Sequence, residues 1–140
     1  VYSVELVPFD STSDFIEEWN NLEECDVLII VMHGGVDCLG YNPCVGSDNT
    51  YSYDELNDIA VNDAVILTSC NGGTRDEHGR SAAQAVANKA GCPVRAVTDG
   101  EVYASPFSGA IFPTGDGFWE TFYPESKRRV IPKDSLSLPQ

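Results

Sequence analysis

The residues best suited to chemistry are a histidine and a cysteine in matching places. His33 follows the apolar run at residues 27–32 and precedes Gly-Gly. Cys70 follows a second apolar run at residues 64–69 and precedes Asn-Gly-Gly. A cysteine attacks as its thiolate, and a neighbouring imidazole favours that form. The pair therefore predicts nucleophilic acyl transfer, with Cys70 as nucleophile and His33 as its base.

The glycine after the histidine has a predicted role of its own. Gly34 carries no side chain, so its backbone can approach a substrate carbonyl closely. The N–H groups of Gly34 and Cys70 together predict an oxyanion hole. Taken singly, a histidine at a strand end and a small buried cysteine have ordinary structural explanations. Their matching positions favour the catalytic interpretation.

The elements that position these residues alternate between strand and helix. Both apolar runs are rich in β-branched residues, which is typical of parallel strands buried on both faces. Residues 1–9 and 93–98 predict two more strands. Helices are predicted after Thr12 or Ser13, after Ser52 and over residues 81–90. This order predicts an α/β, three-layer fold with a mostly parallel central sheet flanked by helices, whose ligands bind at the carboxyl ends of the strands.

Length and composition fit one domain. The chain has 140 residues, of which 42% are hydrophobic, enough for a packed core. We assign 1–124 to the α/β domain, with short strands and loops at 99–124 covering the sheet edge. Residues 125–140 form either a tail or an extra edge segment. Because the chain begins at Val1 without a signal-type segment, we expect a processed product or part of a larger polypeptide.

Charge and motifs exclude several function classes. The chain has 22 acidic and 8 basic residues and a net charge of −14, which argues against nucleic acid and anionic membrane surfaces as partners. No apolar run approaches the roughly 18 residues that a membrane span needs. The glycine-rich dinucleotide and phosphate-binding motifs and the serine-hydrolase motif do not occur, so the corresponding functions lack their starting point.

The cysteine pattern argues against a metal centre and against a full disulfide framework. Five cysteines are an odd number, and no two of them are spaced as Cys-x-x-Cys. We therefore expect no structural zinc and no cofactor. Only Cys38 and Cys44, in a stretch rich in Gly, Pro and Asn, are placed to close a short bridge in an oxidising compartment. The sequence leaves open whether they do.

The order strand-His33-Gly34, then strand-Cys70-x-Gly, resembles the caspase-like clan (clan CD) of cysteine peptidases. That clan includes caspases, legumains, separases, clostripain, gingipains and the self-cleaving domains of large bacterial toxins. The wider pattern over residues 1–124, including Trp19-Asn-Asn and Thr98-Asp-Gly, resembles C-terminal modules of bacterial surface or toxin-like proteins. The resemblance implies a hydrolase within a larger bacterial protein, secreted or at the cell surface.

Residue by residue, the resemblance implies a cysteine endopeptidase with a His33–Cys70 dyad and no third catalytic residue. The Gly34 N–H is its oxyanion donor, and the substrate is a peptide or protein, either the chain itself or another. The implied specificity pocket points to Asp37, Asp99 and Glu101, whose carboxylates would favour a substrate Lys or Arg.

Three alternatives remain open at this stage. One is a non-catalytic binding or structural module with the same fold, in which aromatics near Trp119 and Tyr123 form a partner surface. Another is a phosphatase-like loop, although Cys70 and Arg75 are one residue too close for that motif. In the third, His78 replaces His33 as the base, although its surroundings predict a polar loop.

Overall fold

The computed structural model describes residues 3–40 and 42–125. Its helices are α1 (Thr12–Asn20), a one-turn 3-10 helix (Tyr53–Glu55) and α2 (Ala82–Ala90). Its strands are β1 (Cys25–Val31), β2 (Gly34–Gly35), β3 (Cys38–Leu39), β4 (Val45–Gly46), β5 (Val61–Thr68), β6 (Val94–Thr98), β7 (Val102–Ala104), β8 (Ile111–Pro113) and β9 (Phe118–Phe122). Apart from Glu125, the segment assigned as a tail or edge lies outside the described residues.

The main sheet confirms the α/β class and its mostly parallel character. Its strand order is β1-β5-β6-β9. β1, β5 and β6 are parallel, and β9 runs antiparallel beside β6. Two small antiparallel sheets, β2-β3-β4 and β7-β8, follow the carboxyl ends of β1 and β6 along the chain. The short strands expected within 99–124 are therefore present, and β9 extends the main sheet.

Both α-helices begin at a serine cap, and α2 also ends where the sequence predicts. The Ser11 hydroxyl caps α1 by accepting the Asp14 N–H at 3.0 Å, so the cap lies one residue before the predicted Thr12. α2 begins after Ser81, which caps it in the same way, and ends at Gly91 with a left-handed φ of 67°. A glycine adopts that conformation without a steric penalty.

The core lies on one face of the main sheet. The register aligns the core-facing side chains of neighbouring strands, since Val65 is beside Val94 and Val94 is beside Phe122. These residues form one buried cluster with Phe15 and Trp19 of α1 and the alanines of α2. Among the described residues, both helices therefore cover the same face.

The opposite face of β1 corrects one prediction. Val27, Ile29 and Val31 are 47%, 59% and 67% exposed, so the run at residues 27–32 is not buried on both faces. A run of β-branched residues predicts a strand, but it does not show whether the chain supplies a cover for each side. No helix of the described segments lies on this side, and the predicted second helical layer is not seen there.

The predicted first strand is also wrong. Residues 3–9 are not part of any strand, and Val4 and Leu6 are 91% and 89% exposed. Apolar alternation favours a strand only where a neighbour supplies hydrogen bonds and a surface to pack on. The segment is anchored at its end, where the ring of Phe9 lies 5.2 Å from that of Phe15.

The segment after His33, although rich in Gly, Pro and Asn, contains regular structure. β2, β3 and β4 form a small sheet, and Leu39 and Val45 within it are fully buried. A disulfide joins Cys38 and Cys44, with their Cα atoms 6.0 Å apart. Residues 47–50 beyond it are exposed. The helix predicted after Ser52 is a single 3-10 turn (Tyr53–Glu55), and a capping box between Ser52 and Glu55 opens it.

Candidate active site

The register of two strands places the predicted dyad at one edge of the sheet. The last paired positions of β1 and β5 are Val31 and Thr68. His33 and Cys70 each lie two residues beyond them along parallel neighbouring strands. They therefore leave the sheet side by side, at the carboxyl edge where α/β proteins bind their ligands. His33 is exposed and Cys70 is half-buried.

Gly34 packs directly against the backbone of Cys70. A Cβ atom built on Gly34 would lie 2.7 Å from the Cys70 carbonyl oxygen and 2.9 Å from the Ser69 hydroxyl. Both distances are too short for a real side chain, so only glycine fits here without movement. The structure thus brings the His-Gly pair into contact with the segment that carries Cys70.

The predicted oxyanion donors lie outside the neighbouring strand ladders. The Gly40 N–H donates to the His33 carbonyl at 2.7 Å, which makes this pair a hydrogen-bonded one. Antiparallel pairs alternate, so Gly34 and its partner Leu39 are a non-hydrogen-bonded pair and the Gly34 N–H points away from β3. Cys70 lies beyond the last position of the β1–β5 ladder. Neither N–H is therefore used by these two ladders.

The turn after Cys70 is held in place from the β6 side. Asn71 has a left-handed φ of 54°, and its N–H donates to the Gly100 carbonyl at 2.9 Å. The Thr74 hydroxyl donates to the Asn71 side chain at 2.9 Å and accepts the Asp99 N–H at 2.8 Å. These hydrogen bonds to the segment after β6 give the turn that follows Cys70 a defined position.

The other free cysteines differ from Cys70 in their surroundings. Burial raises the pKa of the Cys92 thiol. Burial also raises the pKa of Cys25, and the neighbouring Asp26 and Glu24 raise it further. Both thiols are disfavoured as thiolates, and neither lies at the carboxyl edge of the sheet. Cys70 is the free cysteine of the described chain that stands beside a histidine segment.

The predicted pocket residues separate into two places. Asp99 and Glu101 are exposed and follow the end of β6. The Asp99 N–H donates to the Thr74 hydroxyl in the turn after Cys70, so Asp99 lies on the same edge as Cys70. Asp37 is only 5% exposed and belongs to a different group of side chains.

The carboxylate of Asp37 is engaged by its own neighbours. It accepts a hydrogen bond from the Ser47 hydroxyl and lies 3.8 Å from the Arg80 guanidinium. Burial raises the pKa of Tyr53, and the nearby Asp37 charge raises it further. Asp37 is therefore not an open acidic group at the carboxyl edge.

An ion pair near Asp99 was not predicted. Two nitrogens of Arg75 contact Glu120 at 3.1 and 2.6 Å, and Glu120 also accepts the Thr98 hydroxyl at 2.8 Å. The hydrogen bond from Arg75 holds the pKa of Glu120 below its usual range. No local pattern reveals this pair, because it depends on β9 lying beside β6. Arg75 is thus already bound by a carboxylate, which weakens the phosphatase-like alternative.

His78 occupies the polar turn that its sequence predicts. Its backbone N–H donates to Asp76 at 2.8 Å, and its ring lies 3.4 Å from Glu77. Both side chains are largely exposed. These contacts explain His78 as a surface residue of the turn before α2.

Other kinds of site are not found in the described ranges. Residues 3–40 and 42–125 contain no group of three His, Cys, Asp or Glu side chains placed to hold a metal ion. Two clefts, of about 360 and 290 Å³, are lined by neither His33 nor Cys70. The helices of the described chain are all too short or too polar to cross a membrane.

Comparisons with known proteins add no assignment. No protein-family model, no curated protein and no solved structure matches the chain.

Proposed function

We propose that this protein is a cysteine endopeptidase of the caspase-like type. The observation that carries the proposal is the placement of His33 and Cys70 side by side beyond β1 and β5, with Gly34 against the Cys70 backbone. A histidine, a thiol and two N–H groups outside the strand ladders, at one edge of a mostly parallel sheet, form a set suited to acyl transfer.

The proposed reaction assigns one step to each group. His33 takes the Cys70 proton, and the thiolate sulfur attacks the peptide carbonyl carbon. The N–H groups of Gly34 and Cys70 stabilise the negative oxygen that forms. His33 then gives its proton to the leaving amine as the C–N bond breaks, leaving a thioester on Cys70. Water, activated by His33, hydrolyses that thioester and restores the thiol.

The three-layer, caspase-like arrangement is part of the proposal. The exposed face of β1 supports it, since sheets of parallel strands are almost always covered by helices on both faces. A second helical layer over Val27, Ile29 and Val31 would bury their side chains. It would belong to the larger polypeptide of which we expect residues 1–124 to form one domain.

The cysteines support a proposed location for that polypeptide. The disulfide between Cys38 and Cys44 supports an oxidising compartment. We therefore place the protein outside the cytosol, secreted or at a bacterial surface.

The proposed substrate is a peptide with a basic residue at the cut. Asp99 and Glu101 are exposed carboxylates beyond β6, beside the turn that carries Cys70. Asp37 supplies no open carboxylate here, so the preference rests on the other two. Small ligands bind in deep cavities, whereas a peptide does not need one. A peptide substrate is therefore compatible with the absence of His33 and Cys70 from the two clefts described above.

The decisive measurement is the alkylation rate of Cys70 against pH, resolved by site with mass spectrometry. A paired thiol reacts quickly well below pH 8, and His33→Ala should abolish that reaction. His78→Ala removes the other histidine and should change nothing. If the rate instead rises with the midpoint of an ordinary thiol, about pH 8.5, and His33→Ala leaves it unchanged, an activated dyad is excluded. Cys25 and Cys92 provide internal reference thiols.

Proteolysis is then tested directly on peptide libraries and on the chain itself. Cys70→Ala and His33→Ala should each abolish cleavage, while circular dichroism shows that both variants remain folded. Cleavage retained by both variants would disprove the assignment.

A non-catalytic binding module is the second candidate. The exposed apolar face of β1, together with Phe118 at 48% and Tyr123 at 67% exposure, favours it because such surfaces mark interaction sites. This candidate requires no activated thiol, so the alkylation profile separates the two functions.

A further inference from the structure

A cluster of charged side chains joins the two segments that carry the proposed dyad. Arg80 lies at its centre. Its Nε atom donates to Asp76 at 3.1 Å and lies 3.8 Å from Asp37. One of its terminal nitrogens lies 3.8 Å from Asp48. Asp37 and Asp48 belong to the segment after His33, whereas Asp76 and Arg80 belong to the segment after Cys70.

The histidine side of this cluster is firmly connected to His33. Asp37 lies in the turn between β2 and β3 and has a left-handed φ of 53°. β3 in turn holds the backbone of His33, because the Gly40 N–H donates to the His33 carbonyl. Gly34 pairs with Leu39 in the same small sheet. A shift of the Asp37 turn would therefore move His33 and Gly34.

The cysteine side is equally well anchored. Asp76 and Arg80 close a turn through two backbone contacts: the Asp76 N–H donates to the Arg80 carbonyl at 2.8 Å and the Arg80 N–H donates to the Asp76 carboxylate at 2.9 Å. α2 begins directly after this turn, and its Ala83 N–H donates to the Gly72 carbonyl at 2.8 Å. Gly72 is two residues from Cys70. The backbone of Arg80 is therefore fixed relative to Cys70, and its side chain, 46% exposed, reaches the carboxylates from there.

The charges make this connection costly to break. Asp37 is 5% exposed, and a buried carboxylate needs hydrogen-bonding and charged partners. Ser47 supplies one hydrogen bond, and Arg80 is its cationic partner. The planar guanidinium can face several carboxylates at once, which a lysine ammonium does less well.

We propose that Arg80 is a positioning residue that clamps the Asp37 turn against the Cys70 segment and thereby sets the relative placement of His33 and Cys70. The inference rests on the proposed function for its catalytic consequence, and it changes the role of Asp37 from substrate contact to structural partner of Arg80.

The clamp is tested first through stability, without any assumption about catalysis. The free energies of unfolding of Arg80→Gln, Asp37→Asn and the double variant form a double-mutant cycle. We expect the two substitutions to be non-additive, since the two charged side chains lie against each other and each substitution removes one side of that contact. Additive effects would show that Arg80 and Asp37 do not act together and would overturn the clamp.

Its effect on the dyad is tested by the alkylation profile of Cys70 at a temperature where every variant is folded. Arg80→Gln should slow the reaction at pH 7 by about 10-fold or more, because small displacements of paired groups are costly. Arg80→Lys should recover part of the rate. Arg95→Gln is the matched control, since Arg95 is exposed on β6 over Trp119, and it should match the unmodified protein.

The outcomes separate the two proposals. An unmodified protein with an ordinary thiol profile contradicts the proposed function, whatever the stability cycle shows. An activated thiol that Arg80→Gln leaves unchanged contradicts the positioning role alone. If Arg80→Gln does not fold, the comparison of Arg80→Lys with Arg95→Gln decides, and identical profiles overturn the proposal.

Discussion

Gly34 allows the segment that carries His33 to approach Cys70 closely. The Cys70 carbonyl and the Ser69 side chain occupy the space that a Cβ atom would need. This is a requirement for space rather than for unusual backbone angles. Glycine is therefore required at position 34 because of one contact, between the segment after β1 and the segment after β5.

Gly34→Ala should reduce peptide cleavage by about 100-fold, a loss similar to that of one oxyanion donor. The added methyl group would push the Gly34 backbone away from Cys70 and displace its N–H from the developing oxyanion. The measurement is kcat/KM on the best library peptide. Gly35→Ala is the matched control, because a Cβ there meets nothing within 4 Å. Equal activity of the two variants would contradict the contact.

The carboxylate of Asp99 is expected to favour a substrate Lys or Arg at the cleavage site. Asp99→Asn keeps a residue that tolerates the left-handed φ of 56° while removing the charge. The preference for Lys or Arg at the cut should fall by about 10-fold, since one close charge pair is lost. Asp116→Asn, on an exposed turn between β8 and β9, should leave it unchanged. A library profile unaffected by Asp99→Asn would remove Asp99 from the pocket.

At the scale of elements, the pair formed by Arg75 and Glu120 joins the segment after β5 to β9. Its pH dependence has a definite sign. Arg75 lowers the pKa of Glu120 in the folded state, so the ion pair stabilises the fold above the ordinary glutamate pKa of about 4.3. This contribution is lost as the pH falls through the lower, folded-state value.

The stability difference between the unmodified protein and Glu120→Gln should therefore shrink as the pH falls from about 6 to 3. Urea unfolding at several pH values measures it. Glu23→Gln removes the same charge from an exposed site after α1 and should show no such convergence. A constant difference for Glu120→Gln across this range would show that the ion pair does not contribute.

How far each element could be predicted depends on where its determinants lie. Ser81 and Gly91 bound α2 through contacts within a few residues, so the sequence predicts that helix well. The placement of His33 and Cys70 at one edge was predictable because each follows the end of a strand, and the ends of parallel strands meet at the same edge of a sheet. Arg75 and Glu120 lie 45 residues apart and meet only because β9 is antiparallel to β6, which no local pattern specifies.

The second face of the main sheet, at β1, has no helical cover among the described residues. The sequence indicates strands but not the side from which helices pack. Residues 3–9 illustrate the same limit, because their alternation is compatible with a strand whose partner the described chain does not provide.

Two neighbouring isoleucines of β1 test whether one face of the sheet is buried and the other exposed. Ile29 is 59% exposed and Ile30 is 4% exposed. Ile30→Ala should destabilise the protein by about 2–5 kcal/mol, whereas Ile29→Ala should cost less than about 1 kcal/mol. Denaturant unfolding measures both. Equal losses would mean that the outer face is buried in solution, for example by self-association, which sedimentation would detect.

The exposed residues 47–50 lie between the two halves of the proposed site. A single backbone cut there would place His33 and Cys70 on separate polypeptides, since β1 and its disulfide-bridged hairpin precede the cut and β5 follows it. The hydrogen bonds between β1 and β5, and their shared core, would still hold the halves together. The proposed dyad therefore depends on strand pairing rather than on chain continuity, and two separately made fragments should regain the proposed activity on mixing, in proportion to their association.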